Sequence, residues 1–275
     1  MLRYVLSSRP ITWFGLAIIY LIGLHFGGGG LDAFTIFEML VFAIPFAFVL
    51  FTLNDAYDHE SDAINRRHRS VPNSRLEREH RETAVIIARI CALFVLLVGF
   101  TVSLRVGMVH FVFVVLTVAL GYAYSAPPFR LKERPVFDSL SNGAIMVGLL
   151  MVAFTTGSSP LDVPRQLVAI FFVGVAMHAL FAIADRDPDA HVRMRTIATV
   201  LGVRLAALIA FVSGLLLVFW AGFVAWFIVY GVHLITAAAL ATLLSGSTRV
   251  ARWSAQIISA YVVVFAPLYV YGLLV

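Results

Sequence analysis

Long apolar runs alternate with short polar ones along the whole chain. A run of about 17–25 apolar residues is long enough to cross a bilayer as a helix. Nine are read: roughly Ile11–Phe26, Phe34–Leu53, Thr83–Ser103, Val106–Tyr124, Phe137–Thr156, Gln166–Ala184, Arg204–Trp220, Gly222–Leu244 and Trp253–Leu274. The stretch Arg204–Leu244 is too long for one span and has no polar loop, so a tight turn is placed near Ala221–Gly222. A single tilted or broken helix is the alternative there. The pattern predicts an all-α, polytopic membrane protein forming one transmembrane domain over residues 1–275.

Composition agrees. The chain is 61% hydrophobic and 13% charged, with a mean hydropathy of +0.95, whereas soluble domains are about half apolar and about a quarter charged. Cys91 is the single cysteine, so no disulfide framework exists. The N-terminus enters an apolar run without a small-residue cleavage site, so no cleavable signal peptide is expected. The net charge of +5 would suggest nucleic acid in a soluble protein. Here it follows topology, and no nucleic-acid partner is expected. With the N-terminus inside, 17 of the 20 basic residues fall in cytoplasmic loops, and the external loops hold only Arg105 and Arg165, as Lys and Arg prefer. Arg89 lies near enough to a helix end to snorkel. The N-terminus is therefore expected in the cytoplasm and the C-terminus outside, in a multi-pass protein of the cell membrane.

The chemistry gathers in three loops on the expected cytoplasmic side. The first, Asn54–Arg75, carries Asp55, Asp58 and Asp62 at helical spacings of three and four, hence on one face. Three bare carboxylates repel one another, but Mg²⁺ prefers oxygen ligands and usually takes substrate phosphates as further partners. The arginines that follow suit phosphate oxygens. The second loop is Tyr124–Asp138. Pro127 and Pro128 end the preceding helix, and Arg130, Lys132 and Arg134 alternate, so in an extended segment they would point to one side. Obedience to the positive-inside rule is the plain alternative. The third, Asp185–Gly202, holds Asp185, Asp187 and Asp189 around Pro188, where the helix is expected to end or bend. Acidic residues so close to hydrocarbon usually face a wet cavity. His178 precedes Asp185 by seven and shares its face; a hydrogen-bonded packing role is the alternative. Asn142 follows Asp138 by four, so both are read as facing a cavity, with a helix–helix hydrogen bond as the alternative.

These residues resemble a known family. Asn54, Asp55, Asp58 and Asp62 form N-D-x-x-D-x-x-x-D, similar to the first aspartate motif of the UbiA-type intramembrane prenyltransferases, with Asn65, Arg69 and Pro72 in its continuation. Tyr124, Ser125, Pro127, Pro128, Arg130, Leu131 and Lys132 resemble the family's Y-S-x-P-P-x-R-L-K loop. Asp185 and Asp189 fall on the second aspartate motif, with Thr196 and Gly202 in its tail. The segment from His178 to Gly202, including Arg195, looks like that of the bacterial and archaeal lycopene elongases, departing at Phe181, Ala184, Arg186, Ala190 and Arg193.

The resemblance implies a helical bundle around a central cavity open sideways to lipid. Both aspartate motifs would face each other over its cytoplasmic mouth, with Mg²⁺ on Asp55, Asp58, Asp62, Asp185 and Asp189. The metal would grip an isoprenoid diphosphate donor, expected to be dimethylallyl diphosphate. Asn54, Arg69, Arg130, Lys132, Arg134, Asn142 and Arg195 would bind the diphosphate. Asp58 and Asp185 would be catalytic, with Tyr124 and His178 as candidate bases. The acceptor would be lycopene or a related carotenoid end group; an activated aromatic ring is the runner-up. A membrane transporter and a structural subunit of a carotenoid-modifying complex are the other classes. No inverted repeat is detected, and intact aspartate motifs argue against a degenerate partner.

Overall fold

A computed structural model describes residues 2–64, 78–221 and 226–274, and these are mostly helical with no strand among them. The helices in chain order are α1 (Leu2–Ser7), α2 (Pro10–Phe26), α3 (Ala33–Ala43), α4 (Pro45–Ala47), α5 (Leu53–Ile64), α6 (Arg81–Val106) and α7 (Met108–Ser125). Then come α8 (Phe137–Phe154), α9 (Arg165–Ala184), α10 (Arg186–His191), α11 (Ile197–Ala221), α12 (Trp226–Ser245) and α13 (Thr248–Leu274). Among the described residues, five stretches are long and apolar enough to cross a membrane: Ala33–Asp58, Arg81–Val106, Met108–Ser125, Phe137–Phe154 and Ile197–Trp220. Pro10–Phe26, Val168–Ala184 and Tyr230–Ser245 are shorter apolar helices. On α6, Ile86, Ile90, Leu93, Leu97, Phe100 and Leu104 recur at helical spacing and are all exposed. Such an apolar stripe is untenable in water and ordinary against lipid. The protein is a membrane protein.

The chain divides into two compact units, residues 1–130 with 148–163 and residues 131–147 with 164–275. In the first, α2 lies so close to the last turns of α8 that a Cβ on Gly23 would sit 2.2 Å from the Leu150 carbonyl oxygen. A Cβ on Gly27 would sit 2.4 Å from that of Phe154. Small residues four apart let helix backbones meet in this way. The run from α3 to α5 is not one regular helix. Pro45 lacks an amide hydrogen, Ile44 is distorted before it (φ −105°, ψ −68°), and Phe48–Thr52 forms a π-helical turn just ahead of the first aspartates. The short α1 docks on this turn, with the Ser7 hydroxyl donating to Thr52 Oγ1 at 2.9 Å.

In the second unit, Gly143 of α8 and Gly174 of α9 cross backbone to backbone: a Cβ on Gly174 would lie 2.5 Å from the Gly143 Cα. Alanines dominate the core, among them Ala176, Ala179, Ala210 and Ala239, all fully buried. Gly214 of α11 packs on Thr236 of α12, so the chain reverses between them. One continuous helix over this stretch is thereby ruled out. The expected turn at Ala221–Gly222 falls partly on residues 222–225, outside the described residues. Helix α11 bends at Gly202 (φ 80°, ψ 168°), a backbone state that favours glycine.

Candidate active site

The first aspartate motif stands on α5, whose helical backbone runs from Leu53 to Ile64 and places Asp55 and Asp58 on one side. Asp55 and Asp58 are 2% and 8% exposed. Carboxylates three apart on a helix lie about 5–6 Å apart; their mutual repulsion is about 3 kcal/mol at an effective dielectric of about 20. Cations gather around them. Arg9 Nη2 donates to Asp55 Oδ1 at 3.0 Å. Arg130 Nη2 stands 3.8 Å from Asp58 Oδ1, an ion pair too long for a direct hydrogen bond. The guanidinium groups of Arg81 and Arg130 lie 5.2 and 5.9 Å from the centre of the Tyr57 ring. Asn54 Oδ1 accepts from the Ser125 hydroxyl at 3.2 Å, tying the motif to the end of α7. Tyr124, next to that serine, is half-buried. Arg69, with the motif's continuation, lies outside the described residues.

The second loop departs from the expected extended strand. Leu131–Glu133 forms a 3₁₀ turn, in which residues two apart do not share a face. Lys132 is 5% exposed, Arg134 is exposed, and Arg130 enters with a left-handed backbone (φ 40°). The local cause of the departure is the turn itself: the Arg134 amide donates to the Leu131 carbonyl and the Asp138 amide to that of Arg134.

In the second unit, α9 ends at Ala184 and α10 begins at once, with Asp185 (φ −97°, ψ 2°) at the joint. The bend is where Pro188 led it to be expected. The Asp189 amide donates to the Asp185 carbonyl, so the two half-buried aspartates lie one helical turn apart. Asp187 instead pairs with Arg186 at 3.4 Å and accepts from the Thr248 hydroxyl at 3.3 Å. The threonines of the tail are structural: Thr196 precedes α11, and it and Thr199 exchange backbone-to-hydroxyl hydrogen bonds at 2.8 and 3.3 Å, a reciprocal cap. Arg195 is exposed.

One expectation changes here. Asp138 does not face a cavity. It is fully buried, and its carboxylate accepts from the Ile197 amide at 2.6 Å and the Ser139 amide at 2.8 Å, capping α11. Asn142, one turn on, is half-buried. His178 Nδ1 lies 3.0 Å from the Ser139 hydroxyl, a hydrogen bond that orients its ring between α8 and α9.

Arg9 is the site residue that sequence reasoning missed. It had served only as a topological charge. The signal was Arg9-Pro10 at a helix start, since proline steers the preceding residue away from helical geometry.

The donor set fits a hard divalent cation, since aspartate oxygens are hard ligands. Among the described residues no three His, Cys, Asp or Glu side chains form a ready cage. That too suits magnesium, which is usually held by one or two carboxylates plus substrate phosphates.

Comparison with known proteins identifies the family. The lycopene elongase/hydratase of Corynebacterium glutamicum is 30% identical over 214 residues, covering 77% of this chain and 74% of that protein. The C(50) beta-cyclic carotenoids biosynthesis protein LbtBC of Dietzia sp. is 31% identical over 207 residues; the match takes in 73% of this chain and under half, 46%, of that longer protein. Among solved structures, a UbiA homolog from Archaeoglobus fulgidus bound to DMAPP and Mg²⁺ shares the fold. Its TM-score is 0.68 at 21% identity, with 96% of this chain and 97% of that one covered. The profile of the UbiA prenyltransferase family matches residues 16–265, and the chain belongs to that family.

Proposed function

We propose that this protein transfers a prenyl group from an allylic diphosphate, dimethylallyl diphosphate in the preferred reading, to the end group of lycopene or a related carotenoid. The observation that carries the reading is the pair Asp55 and Asp58, buried side by side at the end of an apolar helix with an arginine on each. Water-soluble charge is costly at such a depth and marks function. The carotenoid acceptor is supported by the names of the relatives. The chain is further proposed to cross the cell membrane nine times with its N-terminus and active site cytoplasmic, supported by the bias of basic residues between loops.

In this mechanism Asp55, Asp58 and Asp62, with Asp185 and Asp189, are the metal ligands. Bound Mg²⁺ would supply Lewis-acid stabilisation of the diphosphate leaving group. Asn54, Arg69, Arg130 and Lys132 orient the diphosphate by hydrogen bonds that strengthen as charge develops; Arg134, Asn142 and Arg195 complete the donor site. The donor C1–O bond breaks and its electron pair leaves with the diphosphate. The acceptor's alkene electrons form the new C–C bond, and the resulting tertiary cation sheds a proton or takes up water. Tyr124 and His178 are the proposed proton acceptors.

The test is a pigment extraction from a host that makes lycopene, with and without the protein. The expected result is a pigment heavier by one or two prenyl units, with or without added water. Unchanged pigment, together with prenylation of a supplied aromatic acid by the purified protein, would overturn the acceptor.

A further inference from the structure

We propose that Arg9 is the resident counter-ion of the first aspartate motif, holding Asp55 until metal and donor arrive together and then yielding it to the metal. This rests on the reading of that motif as a magnesium–diphosphate site.

The backbone is built to deliver this side chain. Arg9 joins α1 to α2 in a left-handed conformation (φ 54°, ψ 72°), which a non-glycine residue rarely adopts without cause. Neighbours fix it on both sides. The Arg9 amide donates to the Leu6 carbonyl at 3.0 Å, and the Thr12 amide and hydroxyl both donate to the Arg9 carbonyl at 2.7 Å. Ser7 is bonded to Thr52, and the Trp13 indole donates to the Ser8 hydroxyl. The guanidinium therefore reaches the motif from an anchored stem. It meets the buried Asp55 carboxylate while itself 34% exposed, so it lies on the open side of that group. It also stands 5.2 Å from the centre of the Phe51 ring. Phe51 is four residues before Asp55, one turn back on the same side, a second seat for the cation.

Guanidinium and metal compete for one carboxylate. A divalent cation about 2.1 Å from an aspartate oxygen has about three times the Coulomb attraction of a single charge at the Arg9 distance, at equal dielectric. Metal can thus displace Arg9, and the two cations repel if both stay. Diphosphate relieves that repulsion by bringing negative charge. Arg9 accordingly disfavours bare metal in the site and favours metal arriving with donor.

The experiment uses the full chain in lipid nanodiscs, with Mn²⁺ as the spectroscopic probe and binding read by electron paramagnetic resonance. Arg9→Asn removes the charge and tolerates the left-handed backbone; Arg9→Lys keeps the charge and serves if the first variant fails to fold. Without diphosphate, Arg9→Asn is expected to bind Mn²⁺ roughly tenfold more tightly, the scale of one partly buried charge pair, and Arg9→Lys to stay near the native affinity. Adding inorganic pyrophosphate is expected to tighten Mn²⁺ binding more in the native chain than in Arg9→Asn. Unchanged or weaker Mn²⁺ binding in Arg9→Asn, or tighter binding in Arg9→Lys, overturns the role of Arg9. Asp58→Ala is the separate control: if it binds Mn²⁺ as the native chain does, the metal reading itself has failed.

Discussion

Replacing His110 with leucine should be among the most damaging changes far from the aspartates. His110 Nε2 lies 2.9 Å from Glu38 Oε1 and its Nδ1 3.1 Å from the Thr155 hydroxyl, while the Tyr20 hydroxyl donates to Glu38 Oε2 at 2.7 Å. Both Glu38 and His110 side chains are fully buried. Thr155 loses little, because carbonyls of Met151 and Val152 lie 2.9 Å from its hydroxyl. Glu38, fully buried, keeps the Tyr20 hydroxyl and loses its imidazole partner. Breaking a buried pair on one side costs about 3–5 kcal/mol, and Glu38→Leu should cost a similar amount. The double leucine variant leaves only the Tyr20 hydroxyl unsatisfied, worth about 1–3 kcal/mol. The coupling energy is therefore at least about 3 kcal/mol. Reversible unfolding in mixed micelles, followed by tryptophan fluorescence as SDS is added, measures all three variants. A double variant whose loss equals the sum of the single losses within about 0.5 kcal/mol would refute the reasoning.

Three other perturbations are as direct. Asp58→Ala and Asp185→Ala, made singly, should each lower prenyl transfer at saturating Mg²⁺ by at least about 100-fold; near-native turnover in both ends the metal-ligand assignment. Asp138→Ala should cost about 1–2 kcal/mol through the lost cap on Ile197, with Asp138→Asn retaining part of it, read from melting in micelles. At Asp32, the Thr35 amide hydrogen bond first, then Arg105, lowers the carboxyl pKa below its usual 3.8. A lowered folded pKa means stabilisation that is complete above 3.8 and fades as pH falls through the folded value. The melting temperature should drop over that window in the native chain, and the drop should be smaller in Asp32→Asn.

What could be read in advance was what contrasts with its surroundings. Asp55, Asp58, Asp185 and Asp189 stand at the ends of apolar runs, so the helices and both acidic joints were legible from polarity alone. Contacts distant in sequence were not. Glu38 and His110 are 72 residues apart, and each is a single polar residue in an apolar run, with nothing local to pair them. Alternation such as that of Arg130, Lys132 and Arg134 marks one face only if the backbone is extended, and backbone hydrogen bonds close Leu131–Glu133 into a 3₁₀ turn instead. Asp138 looked like chemistry because it is acidic. Its partner, the Ile197 amide, is a main-chain group that residue types cannot advertise.

The widened turn at Phe48–Thr52 is slack in the ladder that aims the acids. Each residue of an α-helix advances the azimuth by about 100°, and a π turn bonds one residue further along than an α turn, so it winds an extra residue through nearly the same sweep. Excising a single position there, with the ladder relaxing to ordinary spacing, would leave Asp55 and Asp58 on almost the bearing they have now, and Arg9 and Arg130 would still meet carboxylates. In a helix without such slack, the same one-codon deletion would turn every later residue roughly a quarter of the way round the axis. The motif is thus buffered against one lost letter upstream, because the turn ahead of it already stores a spare.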